Sequence, residues 1–173
     1  MNLKTNDVVL LVGGARSGKS RLAQARAEAL PGNLVYLATG QPFDTEMTDR
    51  IARHRLERGP RWRTVEAPID LPDAITRERG ADTVLLVDCL TLWLSNLMLG
   101  DHDIAAATFR LLEVLAGRPG TVLLVSNEVG MGIVPDNPLA RQFRDAAGRL
   151  NQQVAAVADE VLLVAAGLAL RMK

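Results

Sequence analysis

Residues 8–20 read VVLLVGGARSGKS, and SRLAQARAEAL continues from Ser20 to Leu30. Five apolar, mostly β-branched residues make a buried strand. The next eight fit the pattern G-x-x-x-x-G-K-[ST], with Gly13, Gly18, Lys19 and Ser20 at its fixed places. Glycines let a backbone wrap closely and turn its N–H groups inward, and the helix that follows presents its positive end to an anion. In such a loop the lysine reaches the outer phosphates and the hydroxyl ligates Mg²⁺. A strand before the loop and a helix pattern after it supply the context the motif requires. The stretch therefore reads as a loop for a nucleoside triphosphate, and it does not say what is done with that triphosphate.

The same alternation recurs outward along the chain. LVYLA at 34–38 leads through a loop into EMTDRIARHRLER at 46–58, and TVLLVD at 83–88 leads into TLWLSNLML. TVLLVS at 121–126 is followed by the glycine-rich loop NEVGMGIVPD at 127–136 and then by PLARQFRDAAGRLNQQVAAVA; EVLLVAA at 160–166 comes last. WRTVEA at 62–67 predicts a further strand, and LALRM near the end an edge strand. Continuous apolar runs mark strands buried on both faces. Strand–helix alternation predicts an α/β fold, a mostly parallel central sheet with helices on both faces. Punctuation agrees: Asp70 stands at a helix start, Gly80 just past its end, and Asn137-Pro138 opens the long last helix. In open parallel sheets, ligands bind beyond the carboxyl ends of the strands, which is where the 127–136 loop falls.

The chain has 173 residues, 48% hydrophobic and 23% charged, so residues 1–173 are expected to form a single nucleotide-binding domain with its own core. Cys89 is its one cysteine, which excludes an internal disulfide and suits a reducing cytoplasm. A formal net charge of zero argues against a dedicated nucleic-acid binder. The most apolar windows, VLLVAAGLAL and LTLWLSNLML, are about half the length of a membrane span. Val154, Val157 and their neighbours repeat at helical spacing and read as core.

Two further features carry chemistry. Asp88 closes the run TVLLVD, where a P-loop protein places the carboxylate that holds magnesium; the alternative is a cap for the helix that follows. From Arg50 to Arg63 the chain carries six arginines, His54 and one carboxylate, Glu57. On a helix, Arg50, His54 and Arg58 lie one turn apart on one face. Such stacking is unfavourable unless an anion lies among the arginines, and the arginines favour the neutral imidazole, a nucleophile. On the pattern alone, a solvated basic face with an incidental histidine is the better reading. His102 reads as a surface loop or helix start without a role. Glu128 reads as a loop residue that pairs locally, with a base role toward an acceptor hydroxyl as the alternative. The N-K-x-D guanine signature is absent.

The sequence resembles the bifunctional adenosylcobinamide kinase / adenosylcobinamide-phosphate guanylyltransferase family of cobalamin biosynthesis. The residues that carry the resemblance are GGARSGKSR (13–21), YLATG (36–40), EMTDRIARHRLERGPRW (46–62), TVEAP (64–68), VDCLTLWLSNL (87–97) and the block 126–167 that begins SNEVGMGIVP. The resemblance implies a RecA-like P-loop fold and a homotrimer. It implies phosphorylation of adenosylcobinamide by ATP or GTP, then transfer of GMP from GTP through a GMP-histidine intermediate on His54, with release of pyrophosphate. Nucleotide contacts are implied at Gly13, Gly14, Ala15, Arg16, Ser17, Gly18, Lys19 and Ser20. They are also implied at Ala38, Thr39 and Gly40, at Arg55, Leu56, Glu57 and Arg58, and at Glu66 and Asp88. Ser20 and Asp88 would hold Mg²⁺. Other members can carry Glu at position 88; the shorter Asp should still bind Mg²⁺ or a nucleotide hydroxyl, with a different reach. A kinase acting alone on a small alcohol, or a GTP-binding regulatory module without turnover, are the competing readings.

Overall fold

The structure is a computed structural model, and it describes residues 7–41, 59–117 and 120–173. Seven strands form one sheet: β1 (Val8–Gly13), β2 (Asn33–Ala38), β3 (Trp62–Glu66), β4 (Thr83–Asp88), β5 (Thr121–Asn127), β6 (Glu160–Ala165) and β7 (Leu168–Arg171). Their order across the sheet is β3-β2-β4-β5-β1-β6-β7. All neighbours run parallel except β6 and β7, which form an antiparallel hairpin at one edge. The helices are α1 (Lys19–Glu28), α2 (Leu71–Glu78), α3 (Leu90–Leu99), α4 (Ile104–Ala116) and α5 (Pro138–Val157). The expected mostly parallel sheet, its third strand at 62–66 and its last edge strand are all present. Helix α4 has no counterpart among the elements expected from the sequence. The arginine-rich stretch 46–58 lies outside the described residues.

The apolar runs are buried because the sheet is covered twice. On one face Leu10, Leu37, Leu85 and Leu124 pack against Ile75 of α2, Trp93 of α3, Leu111 of α4 and Val154 of α5. On the other face Val9, Leu11, Leu86 and Val125 pack against Ala23 and Ala27 of α1. Every residue of β1 is buried. Each fully buried Leu or Val contributes about 1.5–3 kcal/mol by leaving water. Val154 is buried and Val157 packs against the same core, as their spacing predicts.

The helix starts differ in how they are made. Asn137 caps α5 with its side-chain oxygen, which accepts from the N–H groups of Leu139 (2.8 Å) and Ala140 (3.2 Å). Asp103 caps α4 by accepting from Ala106 N–H at 2.9 Å. Asp70 stands at the start of α2 but makes no side-chain cap, so that expectation holds for position and fails for chemistry. Gly80 follows the extended C-cap residue Arg79, and its carbonyl accepts from Thr83 N–H in the turn into β4. Among the described residues no helix is long and apolar enough to cross a membrane.

Candidate nucleotide site

The strand order brings the carboxyl ends of β1 to β5 to one edge of the sheet. Glu66, Ala38 and Asp88 are aligned across β3, β2 and β4, and Gly13 is aligned with Asn127 across β1 and β5. Strand β5 therefore lies between the phosphate-loop strand and the strand that ends in Asp88. This is the edge at which such sheets bind ligands.

The loop between β1 and α1 is shaped by two positions. A Cβ on Gly13 would lie 2.3 Å from the Val164 carbonyl oxygen and 2.8 Å from Ser17 Oγ, so no larger residue fits. Gly18 has φ +96°, and a Cβ there would lie 3.1 Å from Gly167 Cα. Arg16 also takes a left-handed conformation, φ 55°. The turn between β6 and β7 buttresses the loop from outside, with Gly167 N–H donating to the Ser17 carbonyl at 2.8 Å. Gly14, Ala15 and Arg16 are exposed at the crest, Ser20 is half-buried, and Lys19 is buried. The Lys19 ammonium donates to the Gly14 carbonyl at 2.9 Å, inside the loop. Helix α1 has no side-chain cap and no acidic residue in its first turn, so its positive end is open to an anion. The buried Ser17 hydroxyl has no hydrogen-bond partner among the described residues. Such an orphan costs roughly 1–3 kcal/mol, and within an anion loop it suits a ligand that brings its own acceptors.

Asp88 is half-buried at the end of β4, where its carboxylate accepts a hydrogen bond from the Tyr36 hydroxyl at 3.1 Å. Tyr36 in turn packs edge-to-face on Trp62, with ring centroids 6.3 Å apart. The capping alternative for Asp88 fails, because Cys89 occupies the N-cap position of α3 and no side chain caps that helix. The Asp88–Cys89 peptide is cis. A half-buried carboxylate and the Ser20 hydroxyl are hard oxygen donors of the kind Mg²⁺ prefers. No cluster of three or more His, Cys, Asp or Glu side chains occurs among the described residues.

The segment after β2 behaves in two ways. Ala38 and Gly40 are half-buried, but Thr39 is fully buried. Its hydroxyl donates to the Cys89 carbonyl at 2.8 Å and accepts from Cys89 N–H at 2.7 Å. Asn96 of α3 donates to the Thr39 carbonyl (2.8 Å) and to the Pro68 carbonyl (2.9 Å). On the β5 side, Thr91 Oγ1 accepts from both the backbone N–H (3.0 Å) and the side-chain amide (2.9 Å) of Asn127. It also lies 3.3 Å from Cys89 Sγ. Burial, and next the Asp88 charge, push the Cys89 thiol up, so it stays protonated. Glu66 is exposed at the end of β3. Glu128 pairs locally, accepting from Gly130 N–H at 2.5 Å, while its own N–H donates to the Gly13 carbonyl at 3.0 Å.

The structure thus brings together Gly13 to Ser20, Ala38 to Gly40 and Asp88; His54, Arg55, Leu56, Glu57 and Arg58 lie outside the described residues. Tyr36, Asn96 and Gly167 bond candidate residues directly, Thr91 and Asn127 lie beside them, and none of the five is named from sequence. Their roles depend on which strands are neighbours, and only the SNEVG run just after a strand hinted at Asn127.

The fold and the loop define a P-loop nucleotide-binding α/β protein. Solved structures agree on the fold. A prototypical ATPase from the type III secretion system of pathogenic bacteria superposes with a TM-score of 0.59 at 12% identity, covering 96% of this chain and 57% of that one. The assembled type III secretion ATPase EscN from enteropathogenic E. coli gives 0.59 at 14% identity, covering 92% of this chain and 43% of that one. Both place the chain among RecA-like P-loop folds. The family model described as CobU, cobinamide kinase / cobinamide phosphate guanyltransferase, matches residues 9–172. The bifunctional adenosylcobalamin biosynthesis protein CobP of Pseudomonas aeruginosa is 46% identical over 95% of this chain and 96% of its own length. CobU of Salmonella typhimurium is 42% identical over 96% and 99%, and CobU of Escherichia coli 44% identical over the same shares. The chain belongs to the cobinamide kinase / cobinamide phosphate guanyltransferase family.

Proposed function

We propose that this chain carries out both reactions of its family in one unit, residues 1–173. In the first, a hydroxyl oxygen of adenosylcobinamide attacks the γ-phosphorus of ATP or GTP, and the nucleoside diphosphate leaves. In the second, the neutral imidazole of His54 attacks the α-phosphorus of GTP, the bond to the β-phosphate oxygen breaks and pyrophosphate leaves. A phosphate oxygen of adenosylcobinamide phosphate then displaces the histidine, giving adenosyl-GDP-cobinamide. The phosphoramidate keeps the reactivity of the α-phosphate while the second acceptor binds. The observation that carries this reading is the family match over residues 9–172.

The site residues fit these roles. Backbone N–H groups of Gly14 to Ser20 and the Lys19 ammonium would hold the phosphates, and Lys19 exchanges its bond to the Gly14 carbonyl for one to phosphate oxygen. Ser20 and Asp88 would hold Mg²⁺, which when bound offsets triphosphate charge. Arg55 and Arg58, which follow His54 in the sequence, would stabilise charge on the phosphoryl group under attack. Ala38, Gly40 and Glu66, at or just after the carboxyl ends of β2 and β3, would contact the guanosine. Exposed Met131, Ile133 and Val134 after β5, with Leu168 and Leu170 on β7, are apolar surface that the expected homotrimer would bury. The reading places the protein in the cytoplasm.

The two reactions separate by mutation. With adenosylcobinamide, ATP and GTP supplied, chromatography of the corrinoids should give the GDP derivative from wild type. His54→Ala should accumulate adenosylcobinamide phosphate and lose guanylyl transfer by more than about a hundredfold. Lys19→Ala should lose both products. A His54→Ala enzyme that still made the GDP derivative at the wild-type rate would contradict the assignment.

A further inference from the structure

We infer that Thr39 is a positioning residue for the Asp88 carboxylate and that its side chain does not touch the nucleotide. The inference rests on the reading of Asp88 as the metal-holding group. Thr39 is fully buried, with 0% exposure, whereas its neighbours Ala38 and Gly40 are half-buried. Its hydroxyl proton is committed to the Cys89 carbonyl, and the same oxygen accepts from Cys89 N–H. Its own N–H reaches the Asp88 carbonyl at 3.4 Å. Three hydrogen bonds therefore join one residue of the β2 end to the two residues that finish β4. A hydroxyl that both donates and accepts across one residue is a two-point fixture, and Thr is also stiff at χ1. Asn96 holds the Thr39 carbonyl from the α3 side, so the fixture is itself fixed.

The consequence concerns reach. Asp88 has a single methylene between its backbone and its carboxylate, so the carboxylate has little freedom to find an ion by changing rotamer. It depends on the backbone at the end of β4 being held in place. Thr39 supplies that hold from β2, independently of the Tyr36 hydroxyl that touches the carboxylate directly.

The test uses the full-length protein with Thr39→Val, Thr39→Ala and Thr39→Ser, beside Asp88→Asn. Folding is checked by thermal melting. Metal affinity is read by titrating Mn²⁺ into the GTP complex and following the free-ion paramagnetic resonance signal, and nucleotide affinity is read separately in EDTA. Thr39→Val should bind Mn²⁺ about tenfold more weakly, the equivalent of one lost hydrogen bond. It should lower kcat at fixed Mg²⁺ with little change in KM for GTP, and leave metal-free GTP affinity unchanged. Thr39→Ser, which keeps the hydroxyl, should restore Mn²⁺ affinity. Thr39→Ala covers the case in which Val does not fold. Wild-type Mn²⁺ affinity in the folded Val or Ala variant would overturn the inference, and so would weaker metal-free GTP binding. Wild-type Mn²⁺ affinity in Asp88→Asn would instead remove the reading of Asp88 on which it rests.

Discussion

Gly13 and Gly14 are adjacent, identical in chemistry and opposite in consequence. A Cβ at Gly13 meets the Val164 carbonyl at 2.3 Å, a backbone atom of β6 that cannot swing aside, whereas a Cβ at Gly14 meets nothing within 4 Å. Gly13→Ala should therefore push β1 and β6 apart and distort the phosphate loop. Its expected result is GTP binding weakened by at least about tenfold and a loss of stability of about 1–3 kcal/mol, the range for overpacking. Gly14→Ala should stay within about 0.5 kcal/mol of wild type. Paired thermal melts and GTP titrations check both. At this scale the phosphate loop was legible, because its chemistry lies in consecutive residues. The commitment of the Thr39 hydroxyl to Cys89 was not, since their contact spans fifty positions of sequence and exists only once β2 and β4 pair.

Among the elements, the two helix starts read from the sequence make a contrast. Asn137 caps α5 through two hydrogen bonds, and Asp70 starts α2 without one. Asn137→Ala should cost about 1 kcal/mol, lowering the urea midpoint measurably, while Asp70→Ala should leave it within error. The strands were legible because a sheet covered on both faces needs unbroken apolar runs. Helix α4 was harder to see, since Ala105 to Ala107 and the exposed Phe109 dilute the stripe that Thr108, Leu111 and Leu115 bury. The order of strands follows from no local signal. With β5 inserted between β1 and β4, Asn127 enters the site, and residues that depend on that insertion could not be named beforehand.

Across the whole molecule, edge strand β3 is tied to helices on both faces of the sheet. Trp62 Nε1–H donates to Glu28 of α1 at 2.8 Å, and Arg63 pairs with Glu78 of α2. The Trp62 N–H, then the Gln24 amide, hold the Glu28 carboxyl below its ordinary range, and Arg63 does the same for Glu78. A carboxylate whose pKa is depressed by folding adds stability above its unfolded pKa and loses it as pH falls toward the folded value. Stability should thus fall as the medium is taken below the ordinary carboxylate range. Trp62→Phe, lacking the N–H, should show a shallower decline. Urea midpoints between neutral and acid pH measure this, and equal slopes would contradict it.

In the proposed guanylyl transfer, His54 carries GMP between GTP and the corrinoid. The direct measurement is to incubate the protein with Mg²⁺ and GTP radiolabelled at the α-phosphate, without corrinoid, then digest it and identify the labelled peptide. Acid-labile, alkali-stable label on His54, absent from His54→Ala and discharged by adenosylcobinamide phosphate, is the predicted result. GTP bound but no covalent label under those conditions would contradict it, and would leave a nucleotide-binding kinase in place of a guanylyltransferase.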